Sequence, residues 1–206
     1  MHIPDGFLSL PVIISTTAVS ASLLYPSIKK LDREIKPERI PLMGLSAAFV
    51  FTAQLLSFPV FGGTSVHLTG AVLISILLGP LSGFLITTSA VLLQAFLFQH
   101  GGLVTSGANV MNIAVIQSIL GYYLFRVFPK RFYISGAFIA SFSAVVVAAA
   151  VCAAELILSG TIPLKAGLIA MITSHLFAGL GEGFITVIIL EMIRKLKPGL
   201  LHIKKI

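Results

Sequence analysis

Long apolar runs leave this chain few places to fold other than a lipid bilayer. From Phe132 to Leu158 the only charged side chain is Glu155. A helix needs roughly 20 predominantly apolar residues to cross the hydrocarbon core. Runs of this kind cover about Phe7 to Tyr25, Pro41 to Phe58, Leu81 to Phe98, Asn109 to Phe128, Phe132 to Leu158 and Leu164 to Ile193. A shorter run near His67 to Leu78 is ended by Gly79-Pro80. Composition agrees, with 10% of residues charged against roughly 25% in soluble domains, and a mean hydropathy of +1.04. The expected fold is an all-α polytopic membrane protein, a bundle of seven transmembrane helices forming a single domain over residues 1–206. Six helices is the alternative, because the third run is too short to cross unaided.

Charge orients the bundle. Lys29, Lys30, Arg33, Lys36 and Arg39 lie between the first two runs, Arg126, Lys130 and Arg131 between the fifth and sixth, and Arg194, Lys195, Lys197, Lys204 and Lys205 after the last. With seven crossings, all fourteen basic residues except Lys165 fall on one side. The positive-inside rule makes that side cytoplasmic, so the N-terminus is expected outside and the C-terminus inside. The net charge of +7 does not imply nucleic acid as a partner, because the basic residues sit between apolar spans with no polar domain around them. Cys152 is the single cysteine, which excludes an intrachain disulfide and a cysteine metal cluster. The opening lacks the basic region and small-residue cleavage site of a signal peptide. Met1 is therefore expected to be retained, with a free amine facing outward.

That position matters because the second residue is a histidine. The pair offers three nitrogens for chelation: the α-amine, the deprotonated His2 amide and the His2 imidazole. Such a set suits divalent transition metals, and a planar nitrogen arrangement favours Ni(II) or Cu(II). Pro4 has no amide proton and a fixed φ, so the chelate cannot continue along the backbone. Gly6 permits a turn. Residues 1–6 could thus fold back into the bundle, held by Asp5, or Pro4-Asp5-Gly6 could be an ordinary helix-start turn.

His67 comes after Gly62-Gly63-Thr64-Ser65-Val66 on the same outer side. Its imidazole could fill the one planar position that the terminus leaves open. Thr64 and Ser65 are hydrogen-bonding groups beside it. Gln54, Asn109, His175 and Glu182 lie within apolar runs, and His100 and Asn109 flank the outer ends of the fourth and fifth; such groups could orient the ligands. His175 and Glu182 are seven residues apart, on one helical face, and are expected to form a buried His–Glu network.

Four segments together resemble a known family: Met-His-Ile-Pro-Asp-Gly at the start, Phe58 to Gly70, Leu77 to Gly83, and His175 to Gly183. They are similar to the CbiM/NikM proteins, the cobalt- or nickel-specific substrate-capture (S) components of energy-coupling factor transporters. The resemblance covers nearly the whole chain, to about Lys197. It implies one Ni(II) or Co(II) ion bound at the outer face as transported substrate, by the Met1 amine, the His2 amide and imidazole, and the His67 imidazole. No organic cofactor is expected. It also implies a transmembrane coupling (T) subunit, a pair of cytoplasmic ATPases and often a small accessory membrane subunit, in the cell membrane of a prokaryote.

The chain has no phosphate-binding loop of its own, so ATP hydrolysis is expected in partners, and no further pair of apolar spans that would supply the accessory subunit. Two other classes compete with this reading. An intramembrane metalloprotease would need a His-Glu-x-x-His or equivalent, which is absent from the sequence. An ion-coupled secondary carrier could use Glu155, His175 and Glu182 as a proton relay.

Overall fold

The computed structural model describes residues 1–60, 64–197 and 199, except for the Thr64 side chain. Phe61, Gly62, Gly63, Lys204 and Lys205, and what the sequence suggests for them, lie outside the described residues.

Helix α1 spans Leu10–Glu34, with Pro11 in its first turn, where the missing N–H costs nothing. It runs past the expected end at Tyr25, through Pro26, and carries Lys29, Lys30 and Arg33 on its last turns. It stops at Ile35, ahead of Pro37, a residue that disfavours helix in the position before it. A 3₁₀ turn, Pro37–Arg39, leads into α2, Ile40–Leu55.

The expected second span to Phe58 is corrected here: Ser57–Val60 (β1) leaves the helix and pairs antiparallel with Thr64–His67 (β2). The register sets Ser57 opposite His67 and Pro59 opposite Ser65. Both strands are sheet edges, where Pro59 can be accommodated. The all-α expectation thus misses one small hairpin.

Helix α3, Ala71–Leu78, is buried at every residue. Eight residues rise only about 12 Å, so α3 lies inside the bundle and cannot cross alone. Helix α4 covers Pro80–Phe98 and α5 covers Ser106–Val127. The middle of α5, Met111–Leu120, is wound as a π-helix, a rare form frequent at functional sites. Helices α6, Tyr133–Leu158, and α7, Leu164–Leu196, complete the chain. Their contact is close because α7 presents small residues to aromatic rings: a Cβ on Gly183 would sit 2.7 Å from the Phe138 ring.

Among the described residues, five helices are long and apolar enough to cross a membrane: α1, α4, α5, α6 with its 3₁₀ lead, and α7. At 16 and 8 residues, α2 and α3 fall short of that length. The chain is thus a multi-pass membrane protein. Large apolar side chains such as Phe96, Phe177, Phe184 and Ile188 point outward, as a lipid-facing surface requires. The apolar core gathers around α3, with Val50, Ile86, Ala140 and Leu190 packed against it.

Chain reversals sort the bundle into two ends. One carries the N-terminus, the hairpin, the 99–105 loop and the 159–163 turn. The other carries most of the basic residues; there Arg194 of α7 stacks 5.5 Å from the Tyr133 ring at the start of α6.

Candidate metal centre

The first nine residues are sewn into one end of the bundle. The Ile3 amide donates to Asn109 Oδ1 at 2.7 Å, and Asn109 Nδ2 donates back to the Ile3 carbonyl at 3.0 Å. The same carbonyl accepts from the Gly102 amide at 2.9 Å and the Thr105 hydroxyl at 2.6 Å. Asp5 accepts three backbone amides, from Leu103, Val104 and Thr105, at 2.9–3.1 Å. Beyond Gly6, whose φ of +87° makes the turn, the Ser9 amide donates to Ser159 Oγ and the Thr161 hydroxyl to the Phe7 carbonyl. Of the two sequence readings of Pro4-Asp5-Gly6, the folded-back terminus is the one observed.

The loop that receives the terminus is shaped for it. Gln99 has a φ of 53°, the only non-glycine with positive φ among the described residues. Gly101, at φ +87°, has no room for a side chain: a Cβ would lie 2.9 Å from Asn109 Nδ2 and 3.3 Å from His2 Nδ1. At Gly102 a Cβ would overlap Asp5.

His67 closes the hairpin on the opposite wall. The chain behind it is fixed through Thr69 and Gly70. Glu182 of α7 accepts both their amides at 2.7 Å. Gln54 Nε2 donates to the Thr69 carbonyl at 3.1 Å, and the Thr69 hydroxyl donates to Gln117 Oε1 at 2.6 Å. The His67 Nδ1 faces the Leu68 carbonyl at 3.3 Å. With the proton on Nδ1, Nε2 carries the free lone pair.

The result is a cluster of three imidazoles. The His2 ring centroid lies 4.9 Å from that of His67 and 4.2 Å from that of His100. One ring nitrogen from each lies within 4.8 Å of the other two. Both ring nitrogens of His2, Nε2 of His67 and Nε2 of His100 are buried without a hydrogen-bond partner. Buried polar atoms are nearly always paired, so four unpaired nitrogens in one place make these rings candidate metal ligands.

Burial also keeps these groups unprotonated. It pushes the His2 ring well below the ordinary histidine range, a direction reinforced by His67, the Met1 amine and His100. Burial, then the nearby Met1 amine, brings His67 to about 3. His100 and the Met1 amine are lowered chiefly by burial as well. At neutral pH the imidazoles therefore carry lone pairs, the form that binds metal.

Other sequence candidates fall elsewhere. Ser65 is exposed and lines a cavity of about 630 Å³ together with Met1, His2, Cys152 and Met171. The expected His175–Glu182 network is corrected. His175 Nδ1 meets the Met171 carbonyl at 2.8 Å, while Glu182 serves Thr69 and Gly70. Seven helical residues rise about 10 Å, too far for the two side chains to meet although they share a face. Glu155 accepts from Asn112 at 2.6 Å. Each of the three relay candidates thus bonds to a different neighbour.

Thr105 escaped sequence reasoning, and His100 was read only as an orienting group. Thr105 precedes a helix and reads as an N-cap, yet its hydroxyl goes to Ile3. His100 stands closer to His2 than an orienting group would, because the left-handed Gln99 turns it inward.

Residues 2–200 match the family described as the cobalt uptake substrate-specific transmembrane region, CbiM. The chain belongs to the CbiM family. It is 37% identical over 202 residues to a protein of Haloquadratum walsbyi named for metal transport, covering 97% of this chain and 93% of that one. It is 35% identical over 206 residues to an Archaeoglobus fulgidus protein named as a fused nickel transport protein, covering 99% of this chain and 69% of the relative. A crystal structure described as a truncated transition metal transporter superposes with a TM-score of 0.86 at 30% identity, covering 95% of this chain and 99% of that one. As a CbiM-family member the chain is a metal transport protein of the membrane. In it, the opening Met1-His2 meets His67 and His100 at one end of the bundle.

Proposed function

We propose that this protein is the metal-capturing subunit of an ATP-driven nickel or cobalt uptake transporter of the energy-coupling factor type, set in the cell membrane of a prokaryote. The Met1 amine, the His2 amide, His2 Nδ1 and His67 Nε2 take one divalent ion as substrate in a planar four-nitrogen shell. His2 Nδ1 is the ring nitrogen nearest its own amide, so it closes the chelate. Asn109, Thr105 and Asp5 hold the terminus in place, and Glu182 and Gln54 hold the wall that carries His67.

The observation that carries this reading is the set of buried imidazole nitrogens with no partner in the protein. The positive-inside rule supports an outward-facing site, because nearly all cations stand at the other end. A coupling subunit, a pair of cytoplasmic ATPases and a small accessory membrane subunit would supply the energy and the release step.

The test begins with the terminus. Acetylating the Met1 amine, or adding one residue before it, removes or displaces the first nitrogen and should abolish Ni(II) binding by calorimetry. Unchanged affinity would sink the chelate. The purified chain in proteoliposomes should bind metal without transporting it; flux without partners would instead make it a carrier.

A further inference from the structure

The terminal chelate uses one ring nitrogen of His2 and one of His67. Two of the four unpartnered nitrogens are then left without a role: the second nitrogen of His2 and Nε2 of His100. Both are buried, and the three rings each bring one nitrogen within 4.8 Å of the other two.

The rings do not share a plane. His2 is tilted 41° to His67 and 64° to His100, and His67 and His100 stand at 71° to each other. Three imidazoles brought together from three separate segments are the donor set of three-histidine zinc sites, which close to a tetrahedral shell with a fourth ligand. Metal–imidazole bonds of about 2.0–2.1 Å place the nitrogens of a tetrahedral site about 3.4 Å apart. The cluster, with its nitrogens within 4.8 Å, needs only modest side-chain rotation to close to that spacing.

The backbone is also shaped to deliver His100. Gln99 is the left-handed C-cap of α4 at φ 53°, a common way to end a helix, and His100 is the residue that follows it. Gly101 then lets the chain pass within contact distance of His2.

We propose that His2, His67 and His100 form a non-planar three-imidazole site that shares the pocket with the terminal chelate. His100 is its specificity-determining ligand: it opens the pocket to ions that favour tetrahedral nitrogen shells, Zn(II) and Co(II). The proposal rests on reading this pocket as the metal-capture site.

The test uses the full chain in detergent, with the metals themselves as probes. Zn(II) and Ni(II) affinities are measured by calorimetry for the wild type, His100→Ala and His100→Gln, and Co(II) is followed by its visible d–d bands. Loss of a ligand should cost at least what loss of an orienting partner does, about tenfold or more. Zn(II) affinity should therefore fall at least about tenfold further than Ni(II) affinity in both variants, and the intense Co(II) bands of a four-coordinate site should weaken. His100→Gln keeps most of the side-chain volume, so a folding defect in His100→Ala cannot hide the answer. Equal losses for Zn(II) and Ni(II), or unchanged Co(II) bands, overturn the proposal. Absence of a planar Ni(II) spectrum in the wild type would instead remove the terminal chelate and leave the Zn(II) comparison to decide the role of His100.

Discussion

The bundle buries two sets of polar groups, and they differ in what they are bonded to. Glu182 has both carboxylate oxygens on backbone amides of the segment just after His67. Gln54, Asn112 and Glu155 each make one bond inside the protein and leave their second polar atom unpaired. The histidines at the N-terminal end are otherwise: His2 has neither ring nitrogen bonded, and His67 and His100 each leave Nε2 free. Burying a polar group costs free energy unless it is paired. Bonded groups thus fix the fold; what sets the histidines apart is that their unpaired nitrogens cluster within reach of one another. Residue type alone does not separate them, since the buried His175 is bonded through Nδ1 to the Met171 carbonyl.

His67→Ala and Glu182→Ala should therefore fail in opposite ways, and this pair carries the largest effects. His67→Ala should weaken Ni(II) binding by more than the roughly hundredfold that bounds the loss of an orienting partner. Its thermal stability without metal should move less than that of Glu182→Ala, because the only hydrogen bond lost is the long contact of Nδ1 with the Leu68 carbonyl. Glu182→Ala leaves two buried backbone amides unpaired, at about 1–3 kcal/mol apiece. It should melt at clearly lower temperature in differential scanning fluorimetry, before any metal is added. If His67→Ala destabilises the metal-free chain as much as Glu182→Ala, the division between the two sets is wrong.

Asn109→Ala tests the border between them. Its side chain touches no proposed ligand atom through a hydrogen bond, yet it holds Ile3 by both backbone groups. Loosening Ile3 frees the terminus, and Ni(II) affinity should drop by about 10- to 100-fold. Asn109→Asp, which keeps the acceptor and loses the donor, should fall in between. Wild-type affinity in both variants would mean that the terminus does not need its anchor.

How far the site could be read from sequence depends on the same division. The spanning helices were legible because an apolar run is a local property. So was the shortness of α3, from Gly79-Pro80. The hairpin was not: Ser57–Val60 ends an apolar run, and nothing in that run shows where helix gives way to strand. The last turns of α1 were hidden by their charges, since Lys29, Lys30 and Arg33 look like a loop until they are seen along a helix. Met1, His2 and His67 were accessible through coordination chemistry and the family resemblance. The nearness of His100 was not, because it depends on a left-handed Gln99 and on Gly101 beside His2. Nor was the partner of Glu182, because helical spacing pointed to His175 when the carboxylate reaches across to another element.

Acidity offers a smaller lever on the histidine set. In the unfolded chain the His67 ring takes up a proton near its ordinary value of 6.5; in the folded one burial delays this to about 3. Across that window the unfolded state binds more protons, so folding stability falls as pH drops from about 6.5 towards 3. Melting curves of the metal-free chain should shift downward over this range, and His67→Leu should shift less. An equal shift in both would mean that other groups carry the acid sensitivity. Metal binding should weaken in the same direction, because protons compete for the ligand nitrogens.

The smallest effect probes an exception to the division. Gln54 is fully buried, and while its Nε2 bonds to the Thr69 carbonyl, its Oε1 has no partner. If that oxygen is a defect tolerated for the sake of the Nε2 bond, Gln54→Leu removes a cost together with a gain. A typical hydrogen bond is worth about 1 kcal/mol net, and an unpaired buried acceptor costs about as much. The two should nearly cancel, leaving the melting temperature close to wild type and Ni(II) affinity lowered only slightly through a looser Thr69. If instead Gln54→Leu costs as much Ni(II) affinity as Asn109→Ala, Oε1 belongs with the histidine nitrogens, as an acceptor used only when metal is bound.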